Sequence, residues 1–402
     1  MSERIVSPTG RGFLLLDSHP AGCAASVARM RAEAESEPGA GSKAETGAGP
    51  TALVIGSSAG YGLAATVAGL VRHGIRGLGI GFERPAGRRS ATAGWYRTIA
   101  TDAIARELGC DFSFRNADAF ADTTKTEALD LIAERFGGVD YLIYSVAAPR
   151  RTDPRSGETY QSVIKPLGRT YVTKTLEFDI EGTPSLREVT LEPATEAEAD
   201  ATVRVMGGED WSRWVEALAG RGLLRDGFRT VALTYIGSEL NAPIYRNGTI
   251  GAAKADLEAT ARELDARLAP HGGKALTVVN GAAVTQASTA IPSIALYVSM
   301  LRGELGDRLQ SPIEQSVRLW EQLTGARPFD VDDEGRARLD RWELDPAVQA
   351  GVTKRWQAIT PESVFELADI DWFRTQFRSL YGFDVPGVDY TRPVETDQPW
   401  PA

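Results

Sequence analysis

The sequence predicts an α/β fold: a doubly wound parallel sheet with a large insertion before its fifth strand and a helical C-terminal extension packed on it. Three observations carry this expectation. From residue 51 onward, short apolar runs alternate with helical patterns, the order that builds a parallel sheet covered on both faces. The first run ends in clustered glycines that open a helix. The alternation stalls over 149–228, returns, and becomes mostly helical beyond 290.

Segment 31–50, "RAEAESEPGAGSKAETGAGP", is rich in Ala, Gly, Glu and Ser and reads as a solvated loop or the frayed end of a helix. "TALVIG" (51–56) is an apolar run stopped by glycine, the first strand. Over 60–74, Leu63, Val67 and Leu70 recur at steps of four and three, one face of a helix. "GLGIGF" (77–82) is the second strand, 95–109 a helix, 111–118 the third strand and 124–137 a helix. "VDYLIYSVAA" (139–148) has the unbroken apolar character of a strand buried on both faces. Inside the insertion, "EDWSRWVEALAGRG" sets Trp211, Trp214 and Leu218 on one side of a helix. The fifth and sixth strands fall at 229–237 and 275–285, with a helix over 249–268 between them. No internal repeat is visible.

Composition narrows the function. The chain has 402 residues, 43% hydrophobic and 24% charged, ample for a large core. Its formal charge is −10 and it has no basic block, which argues against a nucleic-acid or membrane surface. The apolar run at 13–16 is too short for the core of a signal peptide. No stretch approaches the roughly 20 apolar residues that span a bilayer. Cys23 and Cys110 are expected as buried, reduced thiols of a cytoplasmic protein. His19, His73 and His271 lack metal-ligand spacing, so no metal site is expected.

"VIGSSAGYGLA" joins the first strand to its helix, with glycines at 56, 60 and 62. Such glycines let backbone turn tightly and approach a pyrophosphate, whose charge sits at a helix N-terminus. Glu83 ends the second strand, 21 residues after Gly62. An acid there accepts from adenosine ribose hydroxyls and repels a 2′-phosphate, which favours NADH over NADPH. Arg84, Arg88 and Arg89 stand nearby and could instead pair with a phosphate.

"YRNGTIGAAK" separates Tyr245 from Lys254 by eight residues. On one straight helix, nine steps of about 100° would set them on opposite faces. Asn247-Gly248 is a turn signal. A turn there places Tyr245 before the helix, free to fold back beside the lysine. Ile250, Leu257, Ala261, Leu264 and Leu268 form the helix's buried stripe, and Lys254 falls on that stripe. An unpaired ammonium is costly there. Two readings stay open: a functional Tyr–Lys pair, or a lysine that snorkels to the surface beside a packed aromatic.

These stretches, together with "AGWY", "RGFLLLDSHPAGC", "YSVAAP", "VMGGEDW", "VTQASTAIP", "RLDRWEL" and "YGFDVPGVDY", run in order along the chain. The sequence resembles the trans-2-enoyl-CoA reductases, also called FabV-type enoyl-acyl carrier protein reductases (NADH), enlarged relatives of the short-chain dehydrogenases. The resemblance implies a Rossmann-like sheet and NADH-dependent reduction of the 2,3 double bond of enoyl thioesters, on CoA or acyl carrier protein, in fatty acid synthesis. It implies a cytoplasmic monomer that binds neither nucleic acid nor membrane.

The resemblance makes Tyr245 the proton donor, Lys254 its partner and a cofactor ligand, and Tyr235 a substrate contact. It assigns cofactor binding to Gly56, Ser57, Ser58, Ala59, Gly60, Tyr61, Phe82, Glu83, Asp118, Ala119, Val146, Ala147, Ala283, Val284 and Thr285. The expected layout is one enlarged catalytic domain over 1–402. Its parts are a dinucleotide-binding half (51–150), an insertion near the substrate (151–228), the Tyr/Lys region (229–290) and a helical extension (291–402). Ala148, Arg246 and Gly281 depart from the family's usual residues. A ketoreductase, a specialised secondary-metabolism reductase and a non-catalytic dinucleotide-binding module are the alternatives.

Overall fold

The structure, a computed structural model, describes residues 3–38, 49–178 and 183–401. Its centre is a seven-stranded sheet of β1 (Thr51–Ile55), β2 (Arg76–Gly81), β3 (Phe112–Asn116), β4 (Val139–Tyr144), β5 (Leu224–Thr234), β6 (Lys274–Val279) and β7 (Ala337–Arg338). The spatial order is β7-β6-β5-β4-β1-β2-β3, and every pairing within it is parallel. The winding direction reverses between β1 and β4, the place where open sheets of this kind bind ligands.

All five residues of β1 are buried, so both faces of the sheet are covered. Ala52 and Val54 enter one core, with Leu63, Val67 and Trp320. Leu53 and Ile55 enter the other, with Leu142, Trp211, Trp214 and Leu264. This alternation is the period of a strand.

The helices are α1 (Pro20–Ser36), α2 (Gly60–His73), α3 (Ala93–Glu107), α4 (Asp122–Arg135), α5 (Glu196–Met206) and α6 (Glu209–Gly220). They continue with α7 (Thr249–Leu268), α8 (Ile294–Leu305), α9 (Pro312–Thr324), α10 (Pro346–Ala358), α11 (Val364–Leu367) and α12 (Ile370–Ser379). Leu63, Val67 and Leu70 of α2 are buried, as are Trp211, Trp214 and Leu218 of α6. The stripe of α7, from Ile250 to Leu268, is buried as its spacing predicts. Cys23 and Cys110 are buried and unpaired. No helix is long and apolar enough to cross a membrane among the described residues.

Several sequence expectations need correction or refinement. Helix α1 ends at Ser36, so the front of segment 31–50 is the end of a helix, the second of the two readings; the helix begins well before it, capped by His19 Nδ1, which accepts from Gly22 N at 3.1 Å. Residues 39–48 of that segment lie outside the described residues. Helix α5 went unread although Thr195 and Glu198 form a capping box visible in the sequence. The insertion also holds an antiparallel hairpin, Tyr171–Phe178 against Pro184–Leu191, and β5 begins earlier than expected, with a register shift between Leu224 and Arg229. The two-residue strand β7 is too short to leave a pattern.

The fourth and sixth strands end sooner than their apolar runs. Ser145 N donates to Ile55 O at 2.8 Å and Asn280 N to Thr234 O at 2.8 Å. Beyond those points the neighbouring strands have ended, so 146–148 and 281–285 find no ladder and turn into the cleft.

A buried ionic network holds one wall of that cleft. Lys125 Nζ of α4 donates to Asp210 Oδ1 of α6 at 2.7 Å, to Ala119 O at 2.8 Å and to Phe120 O at 3.1 Å. Tyr144, at the end of β4, donates to Asp210 Oδ2 at 3.1 Å. Removing one member of a buried pair strands the other charge and costs about 3–5 kcal/mol. Lys125→Met is therefore expected to lose about 3 kcal/mol in urea unfolding; a loss below about 1 kcal/mol would show that the pair does not hold this wall.

Candidate active site

The parallel sheet sends every strand's outgoing loop to one edge, and the expected site residues follow those strand ends. Gly56–Tyr61 leave β1, Phe82 and Glu83 leave β2, Asp118 and Ala119 follow β3. Val146 and Ala147 follow β4, Tyr235 leaves β5, and Ala283–Thr285 follow β6.

The first turn is built for close backbone approach. Gly56 has φ +86°, and a Cβ on it would lie 1.9 Å from Ser145 O. A Cβ on Gly62 would meet Gly56 O at 2.1 Å. No side chain caps the N-terminus of α2, which leaves its first N–H groups for an anion. At the end of β2, Glu83 Oε1 accepts from Ser58 Oγ at 2.6 Å. The Glu83 backbone is clamped by the side chain of Asn116, through bonds of 2.7 and 2.9 Å. The "AGWY" glycine has a physical reason: a Cβ on Gly94 would lie 2.0 Å from Glu83 Oε1. Phe82 is 74% exposed and offers a flat apolar face beside this carboxylate. Arg84 and Arg89 line a neighbouring cavity of about 860 Å³. Phe120 N donates to Asp118 Oδ1 at 3.0 Å, which shapes the loop after β3.

The turn at Asn247-Gly248 does what the spacing requires. Gly248 is extended, α7 starts at Thr249, and Tyr245 lies in the preceding turn with its N–H on Asn241 O at 3.0 Å. Lys254 Nζ donates to Thr234 Oγ1 at 2.7 Å, at the end of β5. The Tyr245 ring meets the edge of Tyr235, the next residue along, with centroids 4.9 Å apart at 85°. Tyr245 and Lys254 are thus brought to the same strand end. Lys254 is not a simple snorkelling lysine: its ammonium is tied inward to the strand.

Burial pushes the Tyr245 hydroxyl well above its usual value, with Tyr61 and Glu343 adding to the effect. It is therefore a protonated donor. No hydrogen bond engages it among the described residues, so it is free for a ligand. Burial lowers the Lys254 ammonium to about 8, against the pull of Glu258 and with the push of Arg246.

Sequence reasoning missed Glu343. Its carboxylate, contributed by the C-terminal extension, is fully buried. It accepts from Tyr235 Oη at 2.7 Å, from Tyr297 Oη at 2.8 Å and from Ala282 N at 2.5 Å. Its one sequence signal is its place in "RLDRWEL". The departures are explained in part. Gly281 admits the Trp342 ring, which a Cβ would meet at 2.3 Å. Arg246 pairs with Glu258 and with Glu334, each at 2.8 Å. Nothing in the structure explains Ala148.

Three family models match the chain. Residues 5–88 match the NAD(P)H binding domain of trans-2-enoyl-CoA reductase, residues 89–324 its catalytic region, and residues 331–394 the enoyl reductase FAD binding domain. The glycine turn, the uncapped helix and Glu83 fit a dinucleotide. Residues 331–394 do not fit a flavin: they contain no glycine-rich strand-to-helix turn, and all of their arginines are held in ion pairs with carboxylates. A curated relative from Streptomyces avermitilis, an enoyl-[acyl-carrier-protein] reductase [NADH], is 72% identical over 98% of this chain and 100% of its own. One of the same description from Coxiella burnetii is 43% identical over 99% of this chain and 98% of its own. The crystal structure of Treponema denticola trans-2-enoyl-CoA reductase in complex with NAD superposes with a TM-score of 0.91 at 37% identity, covering 98% of this chain and 99% of that one. Matched end to end by these relatives, the chain belongs to the trans-2-enoyl-CoA reductase family.

Proposed function

We propose that this protein uses NADH to reduce the 2,3 double bond of trans-2-enoyl thioesters. The observation that carries the reading is the unengaged, protonated Tyr245 hydroxyl, whose ring packs on Tyr235 at the same strand end to which Lys254 is tied through Thr234. The turnover of crotonyl-CoA with NADH tests it; oxidation of NADH with a 3-ketoacyl thioester and none with crotonyl-CoA would overturn it. The reading extends to a cytoplasmic, monomeric enzyme of fatty acid synthesis whose segments 51–150, 151–228, 229–290 and 291–402 work as one catalytic unit.

When bound, NADH supplies a hydride to C3 of the substrate. The chain's residues do the rest. Gly56–Tyr61 and the N-terminus of α2 would hold the pyrophosphate, Glu83 would accept from the adenosine ribose, and Phe82 would offer an apolar surface to the cofactor. Asp118-Ala119, Val146-Ala147 and Ala283–Thr285 line the remaining edge. As negative charge gathers on the thioester oxygen, Tyr245 donates to it; a preorganised donor of this kind is worth about 3–4 kcal/mol. Tyr235 brings a second hydroxyl to the reacting end. Lys254 would bind the nicotinamide ribose from the end of β5, where Thr234 holds its ammonium.

Tyr245→Phe is expected to lower kcat at least about tenfold while NADH affinity stays near wild type, because one directed donor is lost. Wild-type turnover in the variant would remove Tyr245 from the chemistry.

Lys254→Met keeps the volume of the stripe and is expected to weaken both NADH binding and turnover without a loss of fold. The ammonium carries charge below about pH 8 and loses it above, so wild-type turnover should decline as pH rises through that value. Unchanged NADH affinity in the variant would reduce the lysine to a structural role.

Glu83→Ala is expected to raise kcat/KM with NADPH, since the repelling carboxylate goes and Arg84 remains to meet a 2′-phosphate. A wild-type enzyme that already prefers NADPH would overturn the role of Glu83.

A further inference from the structure

The hydrogen bonds around Glu343 run in one direction. Gln349 Nε2 donates to the backbone carbonyl of Glu343 at 2.7 Å and to Tyr297 Oη at 3.0 Å. A carbonyl only accepts, so the amide's orientation is decided. Tyr297 therefore receives from Gln349 and gives its own proton to Glu343 Oε1. Glu343 Oε2 is taken by Ala282 N–H. Tyr235, on Oε1, is the member left with a choice. Beside an ionised carboxylate it must donate inward, and no proton is left for the cleft. Beside a protonated carboxyl it accepts from Oε1–H, and its own O–H turns outward towards Tyr245 and the substrate.

We propose that Glu343 is a positioning residue that relays a proton through Tyr235 to the reduced substrate, and that its ionisation switches this second donor off. The proposal rests on the reading that Tyr235 touches the substrate. In the relay, the enolate's electron pair takes the Tyr235 proton and forms the C–H bond at C2. The Tyr235 oxygen takes the Glu343 carboxyl proton as that O–H bond breaks. The carboxylate left behind is reprotonated from water between turnovers.

The surroundings suit a switch near neutrality. Burial, reinforced by Asp340, raises the Glu343 carboxyl to about 7 against the pull of Tyr235, Tyr297 and the Ala282 N–H. The acid is neutral below that value and charged above it. The tyrosines facing it do not change charge in the same range. Tyr235, Tyr245 and Tyr297 are all raised well above the usual tyrosine value, and Tyr61 of α2 is raised as well. Asp340 accepts from Nε and Nη2 of Arg338, each at 2.7 Å.

The test is the pH profile of kcat with crotonyl-CoA and saturating NADH. Wild type should fall at least about threefold in a step as pH rises through about 7, separate from any later decline due to Lys254. Glu343→Gln should lack that step, run below wild type at acid pH, and bind NADH unchanged. Tyr235→Phe should lack it too, and the double variant should be no slower than Tyr235→Phe alone. A step that persists in Glu343→Gln, with Tyr235→Phe impaired, overturns the relay and leaves the substrate role of Tyr235 standing. A Tyr235→Phe enzyme with wild-type kcat overturns that role, and the relay with it. If Glu343→Gln does not fold, Tyr297→Phe decides. It keeps the carboxyl but removes a donor to its charged form, so the step should move to higher pH, and an unmoved step overturns the proposal.

Discussion

Parallel pairing is the constraint from which the site follows. β1 bonds to β2 on one side and β4 on the other, and all three point the same way. Each strand must therefore release its chain at the same edge, and each connection must cross back over a face of the sheet. At the centre of that edge, Gly56 turns so close to β4 that a Cβ on it would lie 1.9 Å from Ser145 O. The approach closes the β1–β4 seam above its last ladder bond and aims the α2 N-terminus along the edge. With any side chain at Gly56, the turn would have to open.

Polar groups inside the protein then fix the loops that the sheet releases. On one side Lys125 and Asp210 hold the backbone after β3, together with Tyr144 at the end of β4. On the other, Glu343 ties β5 through Tyr235, the loop after β6 through Ala282, and α8 through Tyr297. These are buried charges with satisfied partners, the arrangement in which loss of any one member is costly. They make the two walls of the cleft different in kind. The Lys125 wall is an ion pair, whereas the Glu343 wall is a chain of hydroxyls around one acid that can be charged or neutral. Residues beyond 330 thus reach the strand ends through Glu343, although they add only a two-residue strand to the sheet.

The departures from the family's usual residues fall on the same walls. Gly281 makes room for Trp342, which lies next to Glu343 in the chain. Arg246, beside Tyr245, is drawn away from the cleft by Glu258 and Glu334.

Much of this was legible in the residues alone. Strand and helix periods along 51–144 located the first four strands, because a strand buried on both faces must be apolar throughout. Gly56 and Glu83 stood out through their spacing, and Asn247-Gly248 announced the turn that keeps Tyr245 out of the helix bearing Lys254, because short-range backbone preference governs both. The resemblance then supplied their roles. What local pattern could not contain was decided by distance in sequence. Glu343 meets Tyr235 across 108 residues, and nothing near "RLDRWEL" betrays a buried acid, since a carboxylate's burial depends on what folds over it. The ends of β4 and β6 were misjudged for the same reason: a strand stops where its neighbour stops, and the neighbour lies elsewhere in the chain. The sequence by itself determined the sheet, the phosphate turn and the candidate Tyr–Lys pair. Only the tertiary structure decided which acid stands behind Tyr235, because that contact exists only once the extension has packed against the sheet edge.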